Sequence, residues 1–337
     1  MSCIDPILLN DWYIVGKAED IQPGTIKPVR LLGEDIVVWR GSSLESPVLA
    51  WQDWCPHRGV PLSLGKIVGD RLACRYHGWQ YDKTGQCVCV PSLPTQSPPV
   101  NAHVKTYKCQ ESSGYIWANL GDFPRQLPAF PNNPDHRQFV AEPYYISSSP
   151  FRVMENNLDM SHPAFLHEGT IGDPNFPLVE DYEVNAEKDR IVIRNIQSWQ
   201  VGANYTNIKT LSKINISSLI INYPLSMTAV KEIEDSNEKI YVFINITPIE
   251  EEKSVMWISF AMNYGHEIAE SEMQTYTDKV FREDVFILES QRPARLPLLY
   301  QKDTDPQWPP EVHVRCDKAS VVYRRWLKSL GITFGVC

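Results

Sequence analysis

The feature that most constrains this chain is a pair of short motifs, Cys55-Pro56-His57-Arg58-Gly59 and Cys74-Arg75-Tyr76-His77-Gly78. The pattern reads Cys-x-His, sixteen residues, Cys-x-x-His. A chain carrying it has to hold two tight, Gly-bearing loops against one metal centre. The ligand set suits a two-iron, two-sulfide cluster in which one iron takes both thiolates and the other both imidazoles. Imidazole is neutral where thiolate is charged, so such a cluster carries less negative charge and its potential rises. A Cys2His2 zinc site is the alternative. Zinc fingers keep two cysteines together and two histidines together, whereas here the two types alternate. Pro56, Gly59 and Gly78 suit loops whose backbone N–H groups point at cluster sulfurs, so the arrangement favours the cluster over zinc.

The flanking sequence reads as a small all-β unit. Trp12–Gly16, Val29–Leu32, Asp35–Trp39 and Val48–Trp51 are short strands, with Gly33-Glu34 as a hairpin turn between the middle two. Gly114–Gly121 closes the unit. Cys87 and Cys89 alternate with Val88 and Val90 on a strand and read as small packing residues rather than ligands. Prolines recur at 124, 128, 131 and 134, which places a boundary between a domain of residues 1–123 and one of residues 124–337. A chain of 337 residues with 43% hydrophobic content can fill two such cores.

Composition removes several function classes. The net charge of −9 argues against nucleic acid, which demands clustered Lys and Arg. It permits a cationic substrate or a basic redox partner, although solubility alone accounts for it. No run reaches the ~18 apolar residues of a membrane span. The first residues, Met1-Ser2-Cys3-Ile4-Asp5-Pro6, lack the regions of a signal peptide, so a soluble cytoplasmic protein is expected. In that compartment the eight cysteines are not expected to form a disulfide framework.

The second part contains Asp159-Met160-Ser161-His162-Pro163-Ala164-Phe165-Leu166-His167. His162 and His167 are two imidazole ligands from one segment. With a carboxylate they would make the 2-His-1-carboxylate face of a non-haem Fe(II) oxygenase, with positions open for O2. A helix is expected from Phe151, with Asp159 and His162 on one face. His167 lies about 140° further round an ideal helix, so the two imidazoles converge only if Pro163 disturbs it. The third ligand is sought where a carboxylate replaces an apolar residue. Glu267–Gln291 reads as the clearest helix, with a stripe through Val280, Phe281, Ile287 and Leu288. Asp284 sits within that stripe, costly unless paired or metal-bound, while Glu283 lies off it and reads as solvated. Strands over Ile191–Ile196, Lys239–Thr247 and Ser254–Tyr264 complete an α+β layer. Tyr205, Tyr223, Met227, Tyr241, Phe243, Trp257, Phe260 and Met262 are candidates for a pocket lining.

Taken together, Cys55-x-His57…Cys74-x-x-His77, Asp159-x-x-His162-x4-His167 and Asp284 resemble the oxygenase components of the Rieske non-haem iron oxygenases. The resemblance spans the chain. It implies an N-terminal Rieske [2Fe–2S] domain and a C-terminal helix-grip catalytic domain holding mononuclear Fe(II), commonly in a homotrimer where one subunit's cluster feeds its neighbour's iron. It implies that Cys55, His57, Cys74 and His77 hold the cluster and that His162, His167 and Asp284 hold the iron. Asp159 would bridge His77 and His162, and Asn156 would stand near the iron. Phe151–Met154, His167–Gly169, Gln291–Leu299 and the tail Tyr323–Cys337 further resemble cyanobacterial Rieske oxygenases of saxitoxin biosynthesis, a secondary-metabolism group that hydroxylates a guanidinium alkaloid. The strands expected to contact substrate are less alike.

The expected activity is therefore monooxygenation of a C–H bond of a small molecule, with a saxitoxin-type precursor first. O-demethylation or hydroxylation of another, aromatic metabolite is the alternative. Electrons from NAD(P)H would arrive through a separate reductase or ferredoxin, because the chain has no Gly-rich dinucleotide fingerprint. A Rieske electron carrier and a zinc-binding structural protein are the competing classes.

Overall fold

The hairpin expected at Gly33-Glu34 turns instead on Leu32 and Gly33, both with positive φ (53° and 78°). Two consecutive left-handed residues give a turn whose twist matches that of the paired strands, and Gly33 adopts this conformation without a Cβ penalty. The computed structural model describes residues 2–130, 133–201, 211–234, 236–298 and 308–337. Two units are defined, Met1–Leu127 and Pro128–Cys337.

The first unit begins with α1 (Pro6–Leu9) and carries ten strands. These are β1 (Tyr13–Lys17), β2 (Ile26–Leu31), β3 (Glu34–Arg40), β4 (Val48–Gln52), β5 (Lys66–Val68), β6 (Arg71–Ala73), β7 (Gln80–Tyr81), β8 (Cys87–Cys89), β9 (Thr106–Ser112) and β10 (Tyr115–Asn119). Six form a sheet in the order β1-β10-β9-β4-β3-β2, and β5 to β8 form a second, four-stranded one. Trp39 and Trp51 are buried edge to face at 4.7 Å between ring centroids. Tyr81, Leu72, Cys55, Cys74 and Cys87 pack into the same core. The first Cys-His loop leaves β4, and the second joins β6 to β7.

The second unit contains β11 (Arg137–Val140), β12 (Tyr144–Ile146), α2 (Pro150–Asn156) and α3 (Pro163–Leu166). Then come β13 (Glu183–Ala186), β14 (Ile191–Arg194), β15 (Ile196–Val201), β16 (Leu211–Tyr223), β17 (Ser226–Ile233), β18 (Lys239–Glu250) and β19 (Lys253–Met262). The helices α4 (Glu270–Ser290) and α5 (Lys318–Ser329) follow. The sheet is antiparallel, in the order β11-β19-β18-β17-β16-β14-β13, with β12 on β19 and β15 on β16. This is a mixed α+β fold with an antiparallel sheet and one long helix. Tyr144 donates to Asp278 at 2.8 Å and packs its ring against Phe281, fastening β12 to α4.

One expectation fails here for a local reason. Instead of a single helix disturbed at Pro163, the chain forms two short helices with a break between Asn156 and His162. Asp159 Oδ1 accepts from the Ser161 backbone N–H at 2.7 Å and from its hydroxyl at 2.6 Å, an Asx-type turn that competes with helix. Pro163 then starts α3, where its missing N–H costs nothing.

Candidate metal centres and substrate cavity

The two Cys-His loops share one design. In each, the cysteine carbonyl accepts from the glycine four residues on: Gly59 N–H to Cys55 at 2.8 Å, Gly78 N–H to Cys74 at 3.0 Å. In each, the cysteine N–H donates to the residue after that glycine, Val60 at 2.9 Å and Trp79 at 2.8 Å. Both glycines sit at positive φ, 71° and 70°. At Gly59 an added Cβ would stand 2.8 Å from Trp54 Nε1. The loops thereby bring their cysteines together as one pair and their histidines as another. Cys55 and Cys74 are both buried, and after burial itself the proximity of Cys55 helps to raise the Cys74 pKa. The His57 and His77 rings lie edge to face at 4.5 Å. His57 stacks flat on Trp79 at 4.2 Å. Tyr81 Oη lies 3.1 Å from Cys55 Sγ.

This pairing fits the chemistry of a [2Fe–2S] cluster with two thiolates on one iron and two imidazoles on the other. Burial raises the Cys74 pKa, so the bare thiol holds its proton and metal binding must displace it. Burial, and then the charges of His77 and Arg58, pull the His57 pKa down, which keeps a neutral imidazole available. His57 Nδ1 is buried with no hydrogen-bond partner among the described residues.

In the second unit, His162 and His167 flank α3, and Asp284 lies on the buried stripe of α4 with Met273, Thr277, Val280 and Leu288. The helical period places Asp284 one turn after Val280 and one turn before Leu288. Its Oδ1 lies 3.5 Å from His162 Nε2 and 3.3 Å from His167 Nε2. The three ligand atoms all fall within 4.8 Å of one another. Asn156 donates to the same Oδ1 at 2.9 Å. Two imidazole nitrogens and one carboxylate on one side of a small space, with the rest open, are the donor set of a mononuclear iron site.

The partners behind this triad are as specific as the triad itself. His167 Nδ1 lies 2.7 Å from Glu283 Oε2, so Nδ1 carries the proton and Nε2 presents its lone pair. Glu283 was expected to be solvated; instead it orients an imidazole. Helical periodicity reports burial only, and gives no sign that an off-stripe carboxylate meets α3. Burial lowers the His167 pKa, but hydrogen bonds and charge from Asp284 and then Glu283 outweigh it, and the net shift is upward. For His162, burial outweighs the attraction of Asp284 and Asp159, and the shift is downward. Asp159 Oδ2 stands 3.9 Å from His162 Nδ1, too far for a hydrogen bond, and its side chain is 38% exposed.

A cavity of about 160 Å³ opens beside the triad, between α4 and one face of the sheet. Strand register explains its wall. Leu219, Ala229, Val242 and Phe260 are successive partners across β16, β17, β18 and β19, and all four line it. Of the pocket candidates read from the sequence, Met227 and Phe260 line the cavity. Tyr241 and Phe243 alternate with Val242 and Ile244 and therefore point to the other face, where Tyr241 meets His136 and Phe243 meets Phe130. Tyr205, like Leu299 of the segment after α4, lies outside the described residues. Ser198, Gln200, Lys231, Tyr276 and Thr277 line the cavity without having been singled out from the sequence.

The family follows from comparison with known proteins. Residues 11–108 match the Rieske [2Fe-2S] domain, and residues 146–331 match the vanillate O-demethylase oxygenase C-terminal domain. The chain is 33% identical to the methylxanthine N1-demethylase NdmA of Pseudomonas putida, over 94% of this chain and 86% of that one. It is 26% identical to the methylxanthine N3-demethylase NdmB of the same organism, over 90% and 83%. The solved structure of NdmA superposes with a TM-score of 0.78 at 29% identity, covering 96% of this chain and 90% of that one. The chain belongs to the Rieske oxygenases whose catalytic half is the vanillate O-demethylase type C-terminal domain. It is a Rieske non-haem iron monooxygenase acting on a small molecule, with a [2Fe–2S] cluster, a mononuclear iron and O2 as co-substrate.

Proposed function

We propose that the chain is the oxygenase component of a demethylase, removing an N- or O-methyl group from a small ring compound. The observation that carries this is the His162, His167 and Asp284 triad beside a small, largely apolar cavity, in a chain similar over most of its length to methylxanthine N-demethylases. Saxitoxin-type hydroxylation ranks below it. The segments behind that resemblance lie largely outside the cavity wall, and the two carboxylates that line the cavity, Asp159 and Asp284, are those of the iron site and the electron path, while the wall itself carries the cation Lys231.

In this reading Cys55, His57, Cys74 and His77 hold the cluster, and His162, His167 and Asp284 hold the iron. When loaded, the two centres supply electrons singly and activate O2. The residues of the chain set the stage for that chemistry. Glu283 fixes the His167 tautomer, Asn156 restrains the Asp284 carboxylate, and the apolar wall of β16 to β19 excludes water from the reacting methyl group. Asp159 is the electron bridge to His162. Its partly exposed side chain leaves it accessible to His77 of a neighbouring subunit, as a homotrimer would require. Overall, a methyl group, O2, two electrons and two protons give a hydroxymethyl group and water. The hydroxymethyl product then loses formaldehyde, leaving the N–H or O–H compound.

Electrons would come from NAD(P)H through a separate reductase, in the cytoplasm. Among the described residues no helix is long and apolar enough to cross a membrane. A stretch covering 34% of the chain is also similar to the Oxidoreductase NdmD of P. putida, at 39% identity over 117 residues, or 20% of that protein. The test is turnover of the reconstituted protein with a surrogate reductase, offering methylxanthines, aryl methyl ethers and saxitoxin-type precursors in parallel. Formaldehyde equal to substrate consumed supports demethylation. Addition of one oxygen atom to the alkaloid without formaldehyde overturns it in favour of hydroxylation.

A further inference from the structure

Across the sheet, Ile216, Lys231, Ile240 and Met262 are successive partners on β16, β17, β18 and β19. The three apolar members of this row are buried, as the cavity-facing side of the sheet requires. Lys231 is the one charge among them. It follows Met227 and Ala229 at the two-residue period of β17, so it lies on their face, and all three line the cavity. Its sequence neighbour Glu232 is on the opposite face and is occupied by Lys239 Nζ at 3.0 Å. Among the described residues no carboxylate pairs with Lys231. Burial alone moves its pKa, and moves it down. A cation in that position costs stability that a Met or Leu would not. The row lies within one or two residues of the ends of β17, β18 and β19, and Lys231 lines the cavity there while remaining partly exposed.

We infer that Lys231 is a specificity-determining residue, whose ammonium donates to an anionic oxygen of the substrate and so selects acidic ring compounds. The shared chemistry is a carboxylate or the ionised oxo group of an acidic heterocycle. The substrate would place this oxygen on Lys231 and its methyl group toward the triad. Gln200 and Ser198, on β15, line the same cavity and offer further polar contacts to the ring. The inference rests on taking this cavity as the substrate site proposed above, and it is tested by binding rather than turnover.

The experiment uses the full-length holoprotein and matched pairs of methoxy or N-methyl compounds, each an acid with its neutral counterpart. Vanillate with guaiacol is one pair, and 4-methoxybenzoate with 4-methoxytoluene is another. Dissociation constants are measured for wild type, Lys231→Met and Lys231→Arg, alongside melting temperatures without ligand. Wild type is expected to favour at least one acid over its counterpart. Lys231→Met should weaken that acid by roughly ten- to a hundredfold, the scale of one charge-assisted hydrogen bond, and leave the neutral compound unchanged. Lys231→Arg should keep part of the preference. Without ligand, Lys231→Met should melt higher than wild type, because a charge on an apolar, partly desolvated wall has gone. Three results would each overturn the assignment: no acid preferred by wild type, equal loss for both members of a pair, or a lower melting temperature in Lys231→Met. An acid that binds through Lys231 without releasing formaldehyde would leave Lys231 in place and sink the demethylase reading instead.

Discussion

His167 is held between two carboxylates, and the two do different work. Asp284 shares the space where a metal would sit, at 3.3 Å from Nε2, while Glu283 grips the far side of the ring at 2.7 Å. Removing the gripping partner frees the ring to rotate and to change tautomer. Glu283→Ala is therefore expected to lower Fe(II) affinity by roughly 10- to 100-fold, measured by anaerobic titration, with the [2Fe–2S] absorbance unchanged. Asp159→Ala separates a different function. It should retain both metal centres, about three irons per chain by metal analysis, yet stop substrate turnover. Undiminished turnover in that variant removes Asp159 from the electron path. These side chains differ in how far the sequence reveals them. Asp284 stands out because it interrupts an apolar stripe, and a buried carboxylate demands an explanation. Glu283 and Lys231 do not stand out. A carboxylate beside a stripe and a lysine in an alternating strand both read as solvent-facing until the tertiary partners are seen.

At the scale of elements, the C-terminal helix and the short helix ahead of the triad are one mechanical piece. Arg324 on α5 forks onto Glu155 of α2, with Nε at 2.6 Å from one oxygen and an amino nitrogen at 2.7 Å from the other. Arg152 of α2 reaches Glu311 at 2.6 Å, and Arg324 also contacts Glu311. The arginine side chains are only 2% and 4% exposed. Leu296, Leu298 and Cys337 exchange backbone hydrogen bonds alongside. These are the segments Phe151–Met154, Gln291–Leu299 and Tyr323–Cys337 that suggested the closer resemblance. Their described part lies outside the cavity lining, so likeness there says little about substrate. Arg324→Ala would leave the half-buried Glu155 without its fork, with Arg152 3.9 Å away as its remaining cation. It is expected to cost roughly 3–5 kcal/mol in denaturant unfolding, whereas Arg325→Ala, whose side chain faces solvent, should change little. Periodicity revealed α4, whose buried residues recur at the helical period, while strands such as β18 and β19 were legible as short runs of apolar residues that are buried almost throughout. It missed the break between α2 and α3, since that break is made by an Asx turn rather than by a loss of apolar spacing.

For the whole molecule, two metal motifs about a hundred residues apart made the class legible, because few architectures need both. What they left hidden is how stability responds to solution conditions. That response depends on buried polar groups that no pattern reveals. Asp11 is the clearest case. It lies between α1 and β1 with no exposed surface, accepts from the Trp12 N–H at 2.8 Å, and leaves Oδ2 without a partner among the described residues. Its carbonyl accepts from Asn119 at 2.7 Å, so the site ties β1 to the end of β10. Burial raises the Asp11 pKa from 3.8 to about 7, against the lowering effects of the Trp12 bond and Arg125. The protonated acid is thus favoured by folding. Its contribution is fully present below the unfolded value of 3.8 and is lost as pH climbs toward 7, above which the fold carries an ionised, buried carboxylate. Asp11→Asn keeps an oxygen for the Trp12 N–H and removes the charge. At pH 8 it should be more stable than wild type by on the order of a few kcal/mol. At pH 4 the advantage should largely vanish, so that the difference between the two unfolding free energies grows across that interval. Urea unfolding at five pH values measures it, and a difference that stays flat from pH 4 to pH 8 would show that Asp11 ionises as freely in the fold as in the open chain.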